Sequence, residues 1–167
     1  MTFPLNSPAT RLAWALMWAL LPGLPAQADS ARYQPNAVGD EITDTATGLI
    51  WRRCAEGQSW SGSICIGAVA GFTWDGALAH AKGQVSSSGL PWRLPNAKEL
   101  ASLVKHSQVN PAIDTTAFPG ATSDWFWSST PYPGDTAFAW FVYFGYGNVG
   151  PDYRKSKLPA RLVRDSQ

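Results

Sequence analysis

The chain has 167 residues but only two cysteines, two histidines and two methionines, and no excess of charge of either sign. With 13 Lys+Arg against 12 Asp+Glu, it lacks the basic surplus that a phosphate backbone demands, which argues against a nucleic-acid partner. The longest apolar run, Leu12 to Leu21, is short of the about 20 residues needed to span a bilayer. There is no Gly-rich phosphate loop, no G-x-S-x-G elbow around the serines at 86–88 and 128–129, and no internal repeat. His80 and His106 stand alone, without a partner at H-x-x-x-H spacing, and read as surface or hydrogen-bonded core residues. No metal ligand set, no cofactor motif and no catalytic group is expected.

What is present at the N-terminus is the pattern of a secretory signal peptide. Arg11 supplies the positive charge, Leu12 to Leu21 the apolar stretch, Pro22-Gly23 the break, and Ala26-Gln27-Ala28 a small-x-small cleavage site. Residues 1–28 are read as that signal, 29–40 as a linker, and 41–167 as the folded domain. The competing reading is an uncleaved anchor helix. Cleavage before Asp29 leaves about 140 residues, enough for one domain with a core, no membrane span, and a secreted or periplasmic location. Setting Arg11 aside makes the acidic and basic counts equal.

In an exported chain, Cys54 and Cys65 read as a structural disulfide. A metal site lacks neighbouring ligands, and a redox pair would need C-x-x-C spacing. The bridge bounds a Gly- and Ser-rich hairpin or loop holding Trp60.

Seven tryptophans lie beyond the signal: Trp51, Trp60, Trp74, Trp92, Trp125, Trp127 and Trp140. Trp51, Trp127 and Trp140 sit among apolar residues in strand-like segments and are expected in the core. Thr73 caps a helix over about 74–82, ended by Gly83 and followed by a flexible turn at Ser86-Ser87-Ser88-Gly89. Asn96 and Glu99 have capping-box spacing for a second helix, whose apolar side is Ala97, Leu100, Ala101, Leu103 and Val104. Pro95 stops any helix arriving from upstream. Strands are expected at 49–53, 125–130, 137–144 and 158–164, with a turn at 145–148. Two short helices among strands, without βαβ alternation, indicate α+β.

Four ordered motifs carry a resemblance. Asp44-x-x-Thr47-Gly48-Leu49-x-Trp51, Trp92-Arg93-Leu94-Pro95-x-x-x-Glu99-Leu100, Phe126-Trp127-Ser128-Ser129-Thr130 and Arg161-Leu162-Val163-Arg164 resemble the Lcl C-terminal domain family, first catalogued as a domain of unknown function. The resemblance runs from Ile42 to Asp165. It implies a C-type-lectin-like fold: two short helices packed on small antiparallel sheets with long irregular loops, as in formylglycine-generating enzymes. Characterised members of the family end collagen-like bacterial adhesins and bind sulfated glycosaminoglycans. The sequence has no Gly-x-y repeat to link copies for avidity. The Glu-Pro-Asn and Gln-Pro-Asp triplets of calcium-dependent lectins are absent.

The expected ligand surface is the last hairpin. Tyr143, Tyr146, Asn148, Tyr153, Arg154, Lys155 and Lys157, with Asp152 among them, combine flat aromatic faces, amides and cations that suit sugars, sulfates or carboxylates. The expectation is a non-enzymatic recognition domain for a glycan or protein at the cell surface. The alternatives are an enzyme of the formylglycine-generating type, needing reactive cysteines, and an envelope assembly component binding another protein. Oligomeric state is not legible.

Overall fold

A computed structural model describes residues 32–166, together with Met1. The expected signal peptide lies outside the described residues. Among those described, no helix is long and apolar enough to cross a membrane. Over the described residues the architecture is α+β, with three antiparallel sheets and two helices.

The first sheet joins the two ends of the domain. Its strands β1 (Tyr33–Pro35), β2 (Glu41–Asp44), β3 (Leu49–Arg52) and β9 (Val163–Asp165) lie in the order β1-β2-β3-β9. The segment read as a linker therefore contributes a strand: Tyr33 pairs with Asp44 and Pro35 with Ile42. Pro35 gave the stretch a loop-like look, but an edge strand tolerates a residue without a backbone donor. Register places Ile42 opposite Trp51, and Trp51 opposite Val163; all three are buried on one face. The β2–β3 turn closes on Gly48, whose φ of 72° needs a residue without a Cβ. Asp44 organises that turn, accepting from the Ala46 N–H at 3.1 Å and bidentately from Arg32 at 2.7 and 2.6 Å.

Next come β4 (Ser59–Trp60) and β5 (Cys65–Ile66), a two-stranded hairpin pinned by the Cys54–Cys65 disulfide. The bridge and the hairpin are both as read from the sequence.

Helix α1 runs over Trp74–Ser88, two turns past the expected end at Lys82. Gly83 does not stop it. The glycine faces open space, so it weakens the helix by about 1 kcal/mol without breaking it. The three serines continue the helix by bonding back to its carbonyls, Ser88 Oγ to Gln84 O at 2.6 Å being the shortest. The stop is Gly89, left-handed at φ 70°, with its N–H on Val85 O. Trp74, Ala77 and Ala81 form the buried face.

Helix α2 is a five-residue turn, Ala97–Ala101, with both hydrogen bonds of the capping box in place. Leu103 and Val104 lie beyond its end, where Val104 bridges to Ile113. The last sheet is β6 (Trp125–Pro131), β7 (Phe138–Tyr143) and β8 (Asn148–Tyr153), in that order.

Alternate residues of that sheet face opposite ways, and each face meets a different core. Phe126 and Val142 join Ile42, Trp51, Leu100, Phe118 and Phe144 in one cluster. Trp127 and Ala139 join Trp74, Ala81, Trp92 and Leu162 in the other. Buried Arg161 ties the cores to the Cys54 segment: one of its terminal nitrogens donates to Arg52 O at 2.8 Å and also to Arg53 O. Burial pulls its guanidinium down to about 10, with the Glu56 charge opposing the shift.

Candidate functional site

The β7–β8 hairpin carries most of the expected ligand residues but separates them. Tyr143 pairs with Asn148 at one end, and Phe138 with Tyr153 at the other. Strand rise puts those ends about 17 Å apart. The single patch expected from the sequence is thus two: Tyr143, Tyr146 and Asn148 near the turn, and Tyr153, Arg154 and Lys155 at the far end. Sequence proximity concealed this because an extended strand spends its whole length keeping its ends apart.

The turn end is aromatic. Trp125 stacks on Phe141 with ring centroids 4.8 Å apart and planes 5° from parallel. Tyr143 meets Trp125 edge-on at 5.9 Å and Tyr146 edge-on at 5.8 Å. The four rings form one chain in the order Phe141, Trp125, Tyr143, Tyr146, and two of them are exposed, Trp125 at 43% and Tyr146 at 57%. Glycines make the room. A Cβ on Gly150, opposite Phe141 in register, would meet that ring at 3.0 Å. A Cβ on Gly145 would fall 2.1 Å from the Tyr143 ring. Asn148 is exposed beside these rings. The same sheet face is closed further along, where the Trp127 indole N–H donates to Phe72 O at 2.9 Å and the Trp74 indole N–H to Ser128 O at 2.8 Å. An open aromatic shelf therefore adjoins a rigid core, which holds the rings without help from a ligand.

The far end is basic and partly committed to the fold. The Arg154 guanidinium lies 4.1 Å over the Trp74 ring, and its Nε donates to Phe138 O at 3.2 Å. Its carbonyl accepts from Trp74 N–H at 2.8 Å, fastening the hairpin to the start of α1. Lys155 is exposed and lines a cavity of about 610 Å³ with Thr73, Asp75, Ala137, Tyr153 and Arg154. Lys157 is exposed too, with its Cβ 3.4 Å from the site of a Gly71 Cβ, and does not line that cavity. Asp152 is turned to its own strand, accepting from Tyr153 N–H at 2.8 Å.

Trp125 and Phe141 join the site only through the fold. The alternation Trp125-Phe126-Trp127 was visible, but which tryptophan is covered depends on what packs on each end of the strand. Trp51 and Trp127 are in the core, both at 0% exposure. Trp140 is only half-buried, edge-on to Tyr132 at 5.2 Å on the opposite sheet face.

Among the described residues no three His, Cys, Asp or Glu side chains gather as a metal cage. His80 Nε2 lies 2.7 Å from Glu56 Oε2, a structural contact between α1 and the Cys54 segment.

The model of the Lcl C-terminal domain matches residues 40–164, and the chain belongs to that family. No curated protein matches it.

Proposed function

We propose that this member of the Lcl C-terminal domain family is an exported, non-enzymatic recognition domain that holds a glycan of the cell envelope against its terminal hairpin. The observation carrying the reading is the chain of four rings from Phe141 through Trp125 and Tyr143 to Tyr146, with Trp125 and Tyr146 exposed on the sheet. Flat rings accept the apolar faces of sugars, and Asn148 stands beside them to exchange hydrogen bonds with hydroxyls. Lys155 and Lys157, exposed beyond the far end, suit sulfate or carboxylate groups on a ligand long enough to reach them.

Two features favour this over the enzyme reading. Cys54 and Cys65 are joined to each other, so the thiol chemistry of the formylglycine-generating type has no free thiol to use. Arg93 and Glu99 of the central motif are bonded to each other and act as scaffold.

The test is a glycan array probed with the chain from Asp29 onward, its Trp125→Ala/Tyr146→Ala variant and its Lys155→Ala/Lys157→Ala variant. Binding is expected to vanish in the first. In the second it is expected to weaken for sulfated glycans at low salt and to change little at high salt. Binding that survives loss of both exposed rings would remove the hairpin as the platform. A protein captured instead, with no glycan bound, would favour the assembly role.

A further inference from the structure

A second cavity lies far from the hairpin in the chain, between the disulfide-bounded loop, the first sheet and the end of α1. Its volume is about 500 Å³, and Asp40, Glu41, Arg52, Glu56, Trp60 and Trp92 contribute to its lining. We propose that this cleft binds an uncharged, hydroxyl-rich ring, a single neutral sugar unit, independently of the hairpin.

The argument begins with Arg52. One of its terminal nitrogens faces both Glu56 oxygens at 3.1 and 3.3 Å, the other donates to Gln84 Oε1 at 2.8 Å, and its guanidinium lies 5.0 Å over the Trp92 ring. Glu56 is itself 95% buried and further held by His80. The guanidinium is thus fixed before any ligand arrives, and its Nε has no partner among the described residues. Such a donor loses little freedom on binding.

The acceptors are similarly arranged. Glu41 uses Oε2 for Arg164 at 2.6 Å, and Asp40 uses Oδ1 for the Asn36 amide at 2.8 Å. The second oxygen of each carboxylate has no partner among the described residues. Trp60 forms an aromatic wall, held by its indole N–H on Val38 O at 3.1 Å and by Arg53 4.4 Å from its ring. Gly39 lies against it, left-handed at φ 88°, where an added Cβ would crowd the indole at 3.2 Å.

The ligand class follows from the charge pairing. Arg52 is matched by Glu56 and Glu41 by Arg164, so an anion entering the cleft would find its counter-charge already engaged, while Asp40, bonded to the neutral Asn36 amide, adds a carboxylate that repels it. A neutral ring with neighbouring hydroxyls meets no such competition. It gives hydrogen bonds to the free carboxylate oxygens, takes one from Arg52, and lays its apolar face on Trp60.

The experiment is a titration of the chain from Asp29 onward with the methyl glycosides of glucose, galactose, mannose and N-acetylglucosamine. It is followed by the NMR signals of the Trp60 indole N–H and the Arg52 side chain. At least one glycoside is expected to shift both signals saturably, with a Kd unchanged between low and high salt. Trp60→Ala and Asp40→Asn should each weaken that binding, the first by about tenfold. Trp125→Ala, on the hairpin, should leave it unchanged. Failure of all four glycosides to move either signal overturns the proposal. So does a Kd indifferent to both cleft variants. Binding lost only in Trp125→Ala would overturn it as well, and would place the sugar on the hairpin instead.

Discussion

Arg93 and Glu99 face each other through two parallel bonds, 2.8 and 2.9 Å long, and the same Glu99 oxygen that meets the shorter bond accepts the Asn96 N–H at 2.7 Å. The Arg-Leu-Pro-x-x-x-Glu element is therefore one mechanical part. Glu99 completes the helix cap while anchoring an arginine whose backbone bridges to Val163. Replacing Glu99 by Ala removes the reciprocal cap and the pair together. The expected loss is about 2 kcal/mol, read as a lower urea midpoint with an unchanged slope.

Trp125 and Trp127 are two residues apart and should behave oppositely. Trp127 is fully buried and hydrogen-bonded, so Trp127→Ala is expected to destabilise by about 3–5 kcal/mol. Trp125 is 43% exposed, so Trp125→Ala should cost no more than about 1 kcal/mol yet abolish glycan capture. Thermal melts beside array binding separate the two effects.

The disulfide closes the loop carrying Trp60. Cys54→Ser/Cys65→Ser is expected to lower stability by about 2–3 kcal/mol, seen equally on adding reductant to the native chain. The aromatic shelf on the terminal hairpin should keep its ligand under conditions where the chain remains folded.

Three carboxylates set the acid limit. Burial pushes the Asp44, Glu99 and Asp114 carboxyls up. Hydrogen bonds from Arg32, Arg93 and Lys105 respectively, joined by backbone N–H groups, outweigh it and hold all three below their ordinary values. A depressed folded pKa means the unfolded chain binds protons first as pH falls. The stabilisation is then complete above the ordinary carboxylate range and is lost through and below it. Melting temperature should be flat from pH 7 to about 5 and fall steeply beneath about 4. Asp44→Asn should lower the plateau and shallow the fall; an unaltered profile in that variant would show that Asp44 plays no part.

Gly147 holds the turn that presents Tyr146. Its φ is 81°, and an added Cβ would lie 2.4 Å from Val104 Cγ1. Gly147→Ala is expected to destabilise by about 1–3 kcal/mol and to weaken glycan binding by displacing the ring.

Local signals were legible where one neighbourhood decided the outcome. The capping box at Asn96 and Glu99 needs only the four residues it spans. The disulfide was legible because two cysteines leave one pairing. The helix end at Gly83 was misplaced because a glycine stops a helix only where a left-handed residue or a bonded carbonyl is needed; that place is Gly89. Residues 33–35 resembled a linker because a three-residue edge strand has no periodicity of its own and exists through its pairing with β2.

Residue identity and short spacing suffice for the family, the α+β class, the covalent link and the residue types available for recognition. The tertiary structure alone decided which aromatic rings are left open, that the hairpin's tyrosines and lysines occupy opposite ends, and that Arg52 is pinned between Glu56 and Trp92. Those relations join residues separated along the chain. Their distances follow from sheet register and from which faces the helices cover, quantities that no short window of sequence contains.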